Sequence, residues 1–134
     1  LTLNAPTPLL VKDMAVWSDG DRSVLFFSLP DTGMVQVLEV DLDTGGTTEK
    51  FIETTGVPRW LAFSPDHQRL YVTHRAEGKL SIIETGCVPQ DPQPCERLLV
   101  TLPTELYPDR VVFHPSGKNA YLTHEGSNVI TVIE

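Results

Sequence analysis

Apolar and polar residues alternate with a period of two along several short stretches of the chain, as at Leu80, Ser81 and Ile82. Side chains of an extended strand point to opposite faces in turn, so this pattern predicts half-buried β-strands. No window holds apolar residues at i, i+3, i+4 and i+7 without an intervening Pro or Gly, and no helix is predicted. The alternating stretches also recur. The segment 58–84, PRWLAFSPDHQRLYVTHRAEGKLSIIE, returns without a gap as 108–134, PDRVVFHPSGKNAYLTHEGSNVITVIE. Pro58/Pro108, Phe63/Phe113, Pro65/Pro115, Tyr71/Tyr121, Thr73/Thr123, His74/His124, Ile83/Ile133 and Glu84/Glu134 are identical pairs. Apolar residues fill further matched positions, including Leu61/Val111, Val72/Leu122 and Leu80/Ile130.

A weaker copy begins at Asp13, DMAVWSDGDRSVLFFS, and pairs Trp17 with Phe63, Leu25 with Tyr71 and Ser28 with His74 at an offset of 46 residues. Its SDGD takes the place of SPDH and HPSG, three sequences rich in the Gly, Pro and Asp that reverse a chain. The predicted strands are Met14–Ser18, Ser23–Ser28, Met34–Asp41 and Thr47–Glu53 in the first repeat. They are Trp60–Ser64, Arg69–His74, Lys79–Thr85 and Arg97–Leu102 in the second, and Arg110–His114, Asn119–Thr123 and Asn128–Ile133 in the third. Asp41-Leu42-Asp43-Thr44-Gly45-Gly46 has part of the look of a calcium loop. It lacks the third carboxylate and closing Glu, and reads as a turn between strands.

Four short antiparallel strands in every 45 to 50 residues mark a β-propeller blade, whose twisted sheet buries its faces against its neighbours. The expected fold is therefore all-β: a propeller segment of about three four-stranded antiparallel blades, at about 12–55, 58–103 and 108–134, the last without its fourth strand. LYVTHRAEGKLSIIE and AYLTHEGSNVITVIE, with AFSPD and VFHPSG before them, resemble the YVTN-type repeats of bacterial and archaeal propellers. That resemblance covers about half the chain. It implies a ring of about seven blades and a protein working in the periplasm or outside the cell. It specifies fold far more than function.

Three blades do not close a ring of the usual four to eight. The leading expectation is a segment of a longer propeller. The alternative is a six-bladed ring of two chains, in which Leu1-Thr2-Leu3, similar to Val100-Thr101-Leu102, supplies the missing strand of the partner's third blade.

The net charge of -8, with only 10 Lys and Arg, argues against a nucleic-acid partner, because phosphate binding needs clustered cations. No apolar run approaches the roughly 20 residues of a membrane-spanning helix. Cys87 and Cys95 flank VPQDPQP and are read as a disulfide; two free thiols or a metal pair remain the alternatives. Such a bridge would stabilise by about 2.5 kcal/mol in the loop-entropy model and would belong to an oxidising compartment.

The end of each second strand and the start of each first strand gather on one face of the disc. His74, Arg75, His124 and Glu125 lie there from the turns, with Arg59, Trp60, Asp109 and Arg110 from the strand starts. His74, His124, Arg59, Arg110, Trp60, Asp109 and Glu125 are the ligand-binding candidates. Two readings stand for the histidines, which share one slot where similar repeats often carry Asn: a repeated turn or packing element, or a ligand contact. No metal site is expected, because neighbouring sheets stand about 10 Å apart and two imidazoles on one ion must bring their nitrogens to bonds of about 2.0–2.1 Å. Arg59 and Arg110 could clamp a carboxylate or phosphate, but they are one register apart, so at most one is expected to point into the channel. No catalytic residue is assigned. Nothing resembles a nucleophile elbow, a phosphate loop or a haem attachment motif, and no cofactor is expected. Two functions follow. The chain is a scaffold or protein-binding module, as a domain or subunit of a larger complex, or it is part of a propeller enzyme, lactonase-like or quinoprotein dehydrogenase-like, binding a small molecule at the channel mouth.

Overall fold

The structure, a computed structural model, describes residues 10–86 and 95–134. Leu1–Leu3 and Cys87 lie outside these residues, and with them the proposed closing strand and one half of the proposed disulfide. Eleven strands are described: β1 (Asp13–Ser18), β2 (Arg22–Leu29), β3 (Met34–Asp41), β4 (Thr47–Glu53), β5 (Leu61–Phe63), β6 (Arg69–His74), β7 (Lys79–Glu84), β8 (Leu98–Pro103), β9 (Pro108–Phe113), β10 (Ala120–His124) and β11 (Ile130–Ile133). They form three antiparallel sheets in the orders β1-β2-β3-β4, β5-β6-β7-β8 and β9-β10-β11. The described residues contain no helix.

The hairpin turns follow from their side chains. Asp19 Oδ1 accepts from the backbone N–H of Asp21 and Arg22, while Gly20 takes φ +100°. In the second sheet Asp66 Oδ1 accepts from the Ser64 hydroxyl and the Gln68 N–H, and His67 adopts φ +56° where the third repeat places Gly117 at +73°. Asx turns of this kind explain why Asp recurs at chain reversals. The Asp41 to Gly46 stretch is likewise the β3–β4 turn: Asp41 Oδ1 accepts from the N–H of Asp43 and Thr44, which holds its carboxyl below the usual range.

Alternation along the strands gives the second sheet two apolar faces. Its near face carries Leu61, Phe63, Leu70, Val72 and Ile83 and packs on Val24, Phe26, Val35, Val37 and Ile52 of the first sheet. Its far face carries Ala62, Tyr71 and Leu80 and packs on Val111, Phe113, Ala120 and Leu122 of the third. Burying an aliphatic or aromatic side chain of this size stabilises by about 1.5–3 kcal/mol. The two interfaces are copies of one another. An edge-to-face pair sits at each: Phe26 on Phe63 with ring centroids 5.6 Å apart, and Tyr71 on Phe113 at 4.9 Å.

This repetition corrects the alignment of the first repeat. Phe26, not Leu25, occupies the Tyr71 position. The hydrogen bonds agree: Asp13 N–H donates to Ser28 Oγ as Trp60 N–H donates to Thr73 Oγ1, and Lys12 N–H donates to the Ser28 carbonyl as Arg59 N–H does to that of Thr73. Ser28 therefore corresponds to Thr73, and the fully buried Leu29 takes the place of His74. The cause is the β1–β2 hairpin, which is two residues longer between equivalent positions: Asp13 and Ser28 are 15 residues apart, Trp60 and Thr73 only 13. A shift of one residue moves every side chain to the other face.

Candidate functional site

Four of the ten cationic side chains, Lys12, Arg59, Arg75 and Arg110, converge where the starts of β5 and β9 meet the β6–β7 turn. Trp60 organises three of them. Its ring lies under the Arg110 guanidinium at 3.6 Å from the centroid, with the Lys12 ammonium at 4.7 Å and the Arg59 guanidinium at 5.6 Å. Cations are drawn to the electron-rich face of an indole, more strongly where water is partly excluded. The ring itself is fixed by its Nε1–H, which donates to Asp109 Oδ1 at 2.7 Å. Arg75 is held separately, by an ion pair with Glu125 at 2.7 Å and by the Tyr107 ring at 5.1 Å. That pair keeps the Glu125 carboxyl below its ordinary range, through the Arg75 hydrogen bond first and its charge second.

A pocket of about 260 Å³ opens beside this cluster, lined by Lys12, Arg59 and Arg75 on an apolar floor that includes Pro30, Val57 and Pro58. Arg59 lines it and Arg110 does not, although both reach the Trp60 ring. Arg59 Nε is buried and donates to no protein acceptor. Lys12 escapes a sequence reading at the offset of 46. At the offset of 47 that the structure establishes for β1, it is the counterpart of Arg59.

His74 and His124 stand apart from the pocket lining. Each closes its own sheet. His124 Nδ1–H donates to the Leu106 carbonyl at 3.1 Å, which can only accept, and Nε2 accepts from the Thr131 hydroxyl at 2.9 Å. His74 Nε2 meets Ser81 Oγ at 2.7 Å, and a run of hydroxyls continues through Thr101 to Thr55. Its Nδ1 has no hydrogen-bond partner and abuts the Gly56 backbone, with Glu77 alongside. Burial pushes the His74 imidazole down from its usual range, with the Glu77 charge opposing. Among the described residues no group of three or more His, Cys, Asp or Glu is placed to hold a metal ion.

Consecutive sheets are also stitched by backbone. Ser28 Oγ donates to the Arg59 carbonyl at 2.8 Å and Thr73 Oγ1 to the Asp109 carbonyl at 3.0 Å. These bonds fix the strand starts that carry the cluster.

No protein-family model matches the sequence, and no match is found among curated proteins. Solved structures do match. Hydrazine synthase of Kuenenia stuttgartiensis superposes with a TM-score of 0.66 at 21% identity, over 92% of this chain and 45% of its own. A 6-phosphogluconolactonase-like protein of Bacteroides uniformis gives 0.70 at 17%, over 91% and 36%. The Swd1 β-propeller domain of Myceliophteria thermophila gives 0.63 at 11%, over 92% and 39%. The chain thus spans less than half the length of each of these structures. Likenesses at such identities speak to fold alone, and with the three stacked antiparallel sheets they make this chain a segment of a β-propeller.

Proposed function

We propose that the chain is part of an extracytoplasmic propeller of the YVTN type that serves as a scaffold or protein-binding module, its three sheets being consecutive blades of a larger ring. The observation that carries this is the far face of the third sheet. Val112, Tyr121, Ile130 and Val132 are exposed there, at 60%, 36%, 63% and 53%. They are the counterparts of Ala62, Tyr71, Leu80 and Ile82, on the face of the second sheet that receives the third. At the other end the near face of the first sheet presents Met14 and Val16, both 54% exposed, in the positions of Leu61 and Phe63. The rest of that near face is buried, with Leu29, Leu38 and Val40 at 0%, 7% and 2%, so it is the far face of the third sheet that stands as an exposed copy of one half of an interface already formed inside the chain. A further blade of the same repeat is the occupant that fits, and covering the third sheet's face removes a large apolar area from water. The oxidising compartment rests on the Cys87–Cys95 disulfide.

Intact mass of the natural polypeptide, by denaturing mass spectrometry with and without reductant, tests the reading. A mass well above 14.9 kDa supports further blades on the same polypeptide, and a small gain on reduction supports the disulfide. A mass of 14.9 kDa moves ring closure to a second copy; a stable monomer in solution then overturns ring closure altogether.

A second reading, a propeller enzyme acting on a small molecule, is favoured by the cation-lined pocket. Turnover of sugar lactones, lost on replacing pocket residues, is its test.

A further inference from the structure

We infer that the pocket beside Trp60 is a binding site for a small organic oxyanion, a carboxylate or phosphate ester with an apolar body. The inference stands apart from the scaffold reading, since it concerns what the three sheets bind rather than what completes the ring.

The charge distribution argues for it. In a chain of net charge -8, Lys12, Arg59 and Arg110 all lie within 6 Å of a single indole centroid. Among the described residues none of the three is in an ion pair, whereas Arg22, Lys50, Arg75 and Arg97 each contact a carboxylate within 4 Å. Bringing like charges together costs free energy, and a solvated acidic surface offers many alternatives to doing so. Trp60 offsets part of that cost by its ring face, and an oxyanion in the pocket would offset the rest.

Geometry assigns the parts. Arg59 Nε is buried without an acceptor, and a guanidinium presents its N–H groups as a planar fork suited to two oxygens of one carboxylate or phosphate. Lys12 adds a point charge. Arg75 is held in place by Glu125 and Tyr107, so it enters the site already oriented. Beneath the cations, Pro30, Val57, Pro58 and Ala76 give the floor an apolar character that suits a carbon skeleton better than a bare inorganic ion. About 260 Å³ is room for a small metabolite and too little for a folded peptide segment.

Trp60 is the reporter. In a Trp17→Phe background it is the single tryptophan of the chain. Its emission is followed while inorganic phosphate, phenyl phosphate or glutarate is added at ionic strength matched with sodium chloride. The expected result is a saturable change for at least one organic probe, tighter than for inorganic phosphate. Lys12→Gln and Arg59→Gln should each weaken it by about tenfold or more, the loss of one charge-assisted contact, while Arg97→Gln leaves it unchanged. Lys12 is exposed and precedes β1, so its variant reports on binding even if the Arg59 variant folds poorly. Phenyl phosphate against glutarate decides which oxyanion is preferred. No saturable change with any probe, a change equal to that of sodium chloride alone, or binding that survives Lys12→Gln unaltered would each overturn the site.

Discussion

The Thr73 hydroxyl, wholly buried, donates to the Asp109 carbonyl of the next sheet at 3.0 Å and accepts from the Trp60 N–H at 3.2 Å. One side chain thus ties β6 to two strand starts and holds Trp60 and Asp109 in register. Thr73→Val keeps the shape and removes both bonds. A buried backbone group left without its partner costs about 1–3 kcal/mol, so Thr73→Val should lower unfolding stability by that order. The identical residue of the third repeat, Thr123, is exposed, and Thr123→Val should change stability by less than about 0.5 kcal/mol. Urea denaturation of both variants checks the contrast; equal losses would mean that Thr73 does not bridge the sheets.

The corrected register of the first sheet makes a second contrast. Phe26 is 1% exposed and sits edge-on to Phe63, while Leu25 is half-buried on the opposite face. Phe26→Ala should cost about 3–5 kcal/mol, and Leu25→Ala less than half of that. If the alignment at 46 residues were right, Leu25 would carry the larger loss. Denaturation midpoints at constant slope decide between them.

That same contrast shows what the residues reveal unaided. Strand positions were legible because alternation and repetition coincide: Arg69–His74, Met34–Asp41 and Thr47–Glu53 are strands with the bounds expected, and the others differ by one or two residues. The second and third repeats align because their β5–β6 and β9–β10 turns have the same length. The first does not, because two extra residues in the β1–β2 hairpin, one on each strand, leave the apolar pattern intact yet exchange the faces, and Val24, Leu25, Phe26 and Phe27 are apolar on both. An all-apolar run carries no parity signal. The same slip hid Lys12, which at the true offset stands where Arg59 stands. Trp60, Arg59 and Arg110 were legible as a group because the repeat places strand starts together; that one indole gathers the cations is a matter of side-chain conformation, which spacing does not encode.

Gly86 offers a test of the turn after β7. It adopts φ +68°, and an added Cβ would lie 2.7 Å from the His67 carbonyl oxygen, closer than such atoms approach. Gly126 has a similar φ of +76° with open space around it. Left-handed backbone alone costs a residue with a side chain about 1–2 kcal/mol. Gly126→Ala should lose about that much, and Gly86→Ala distinctly more, because backbone must move as well. Thermal unfolding of the pair reads the difference, and an equal loss would show that the His67 loop yields freely.

His74 makes stability depend on pH in a defined direction. Its imidazole is fully buried, with Nε2 on Ser81 and Nδ1 against Gly56. Glu77 and Lys79 are the charged groups beside it, acting in opposite senses. Burial lowers its pKa in the folded protein, so in mildly acid solution the unfolded chain, titrating near 6.5, binds a proton that the folded chain refuses. Stability then rises with pH where the unfolded state holds more protons. The contribution is complete above about pH 6.5 and is lost as pH falls from there through the lower folded value. Hydrogen-bonded carboxylates such as Glu125 and Asp66, held below their ordinary range, contribute their own losses at lower pH, below the window from about pH 7.5 to 5.5. His74→Leu places there the residue that Leu29 already provides in the first sheet. Its stability should vary less with pH across that window than that of the unsubstituted chain, whatever its absolute value. An unchanged slope would assign the dependence to another group and leave the imidazole as a neutral packing element.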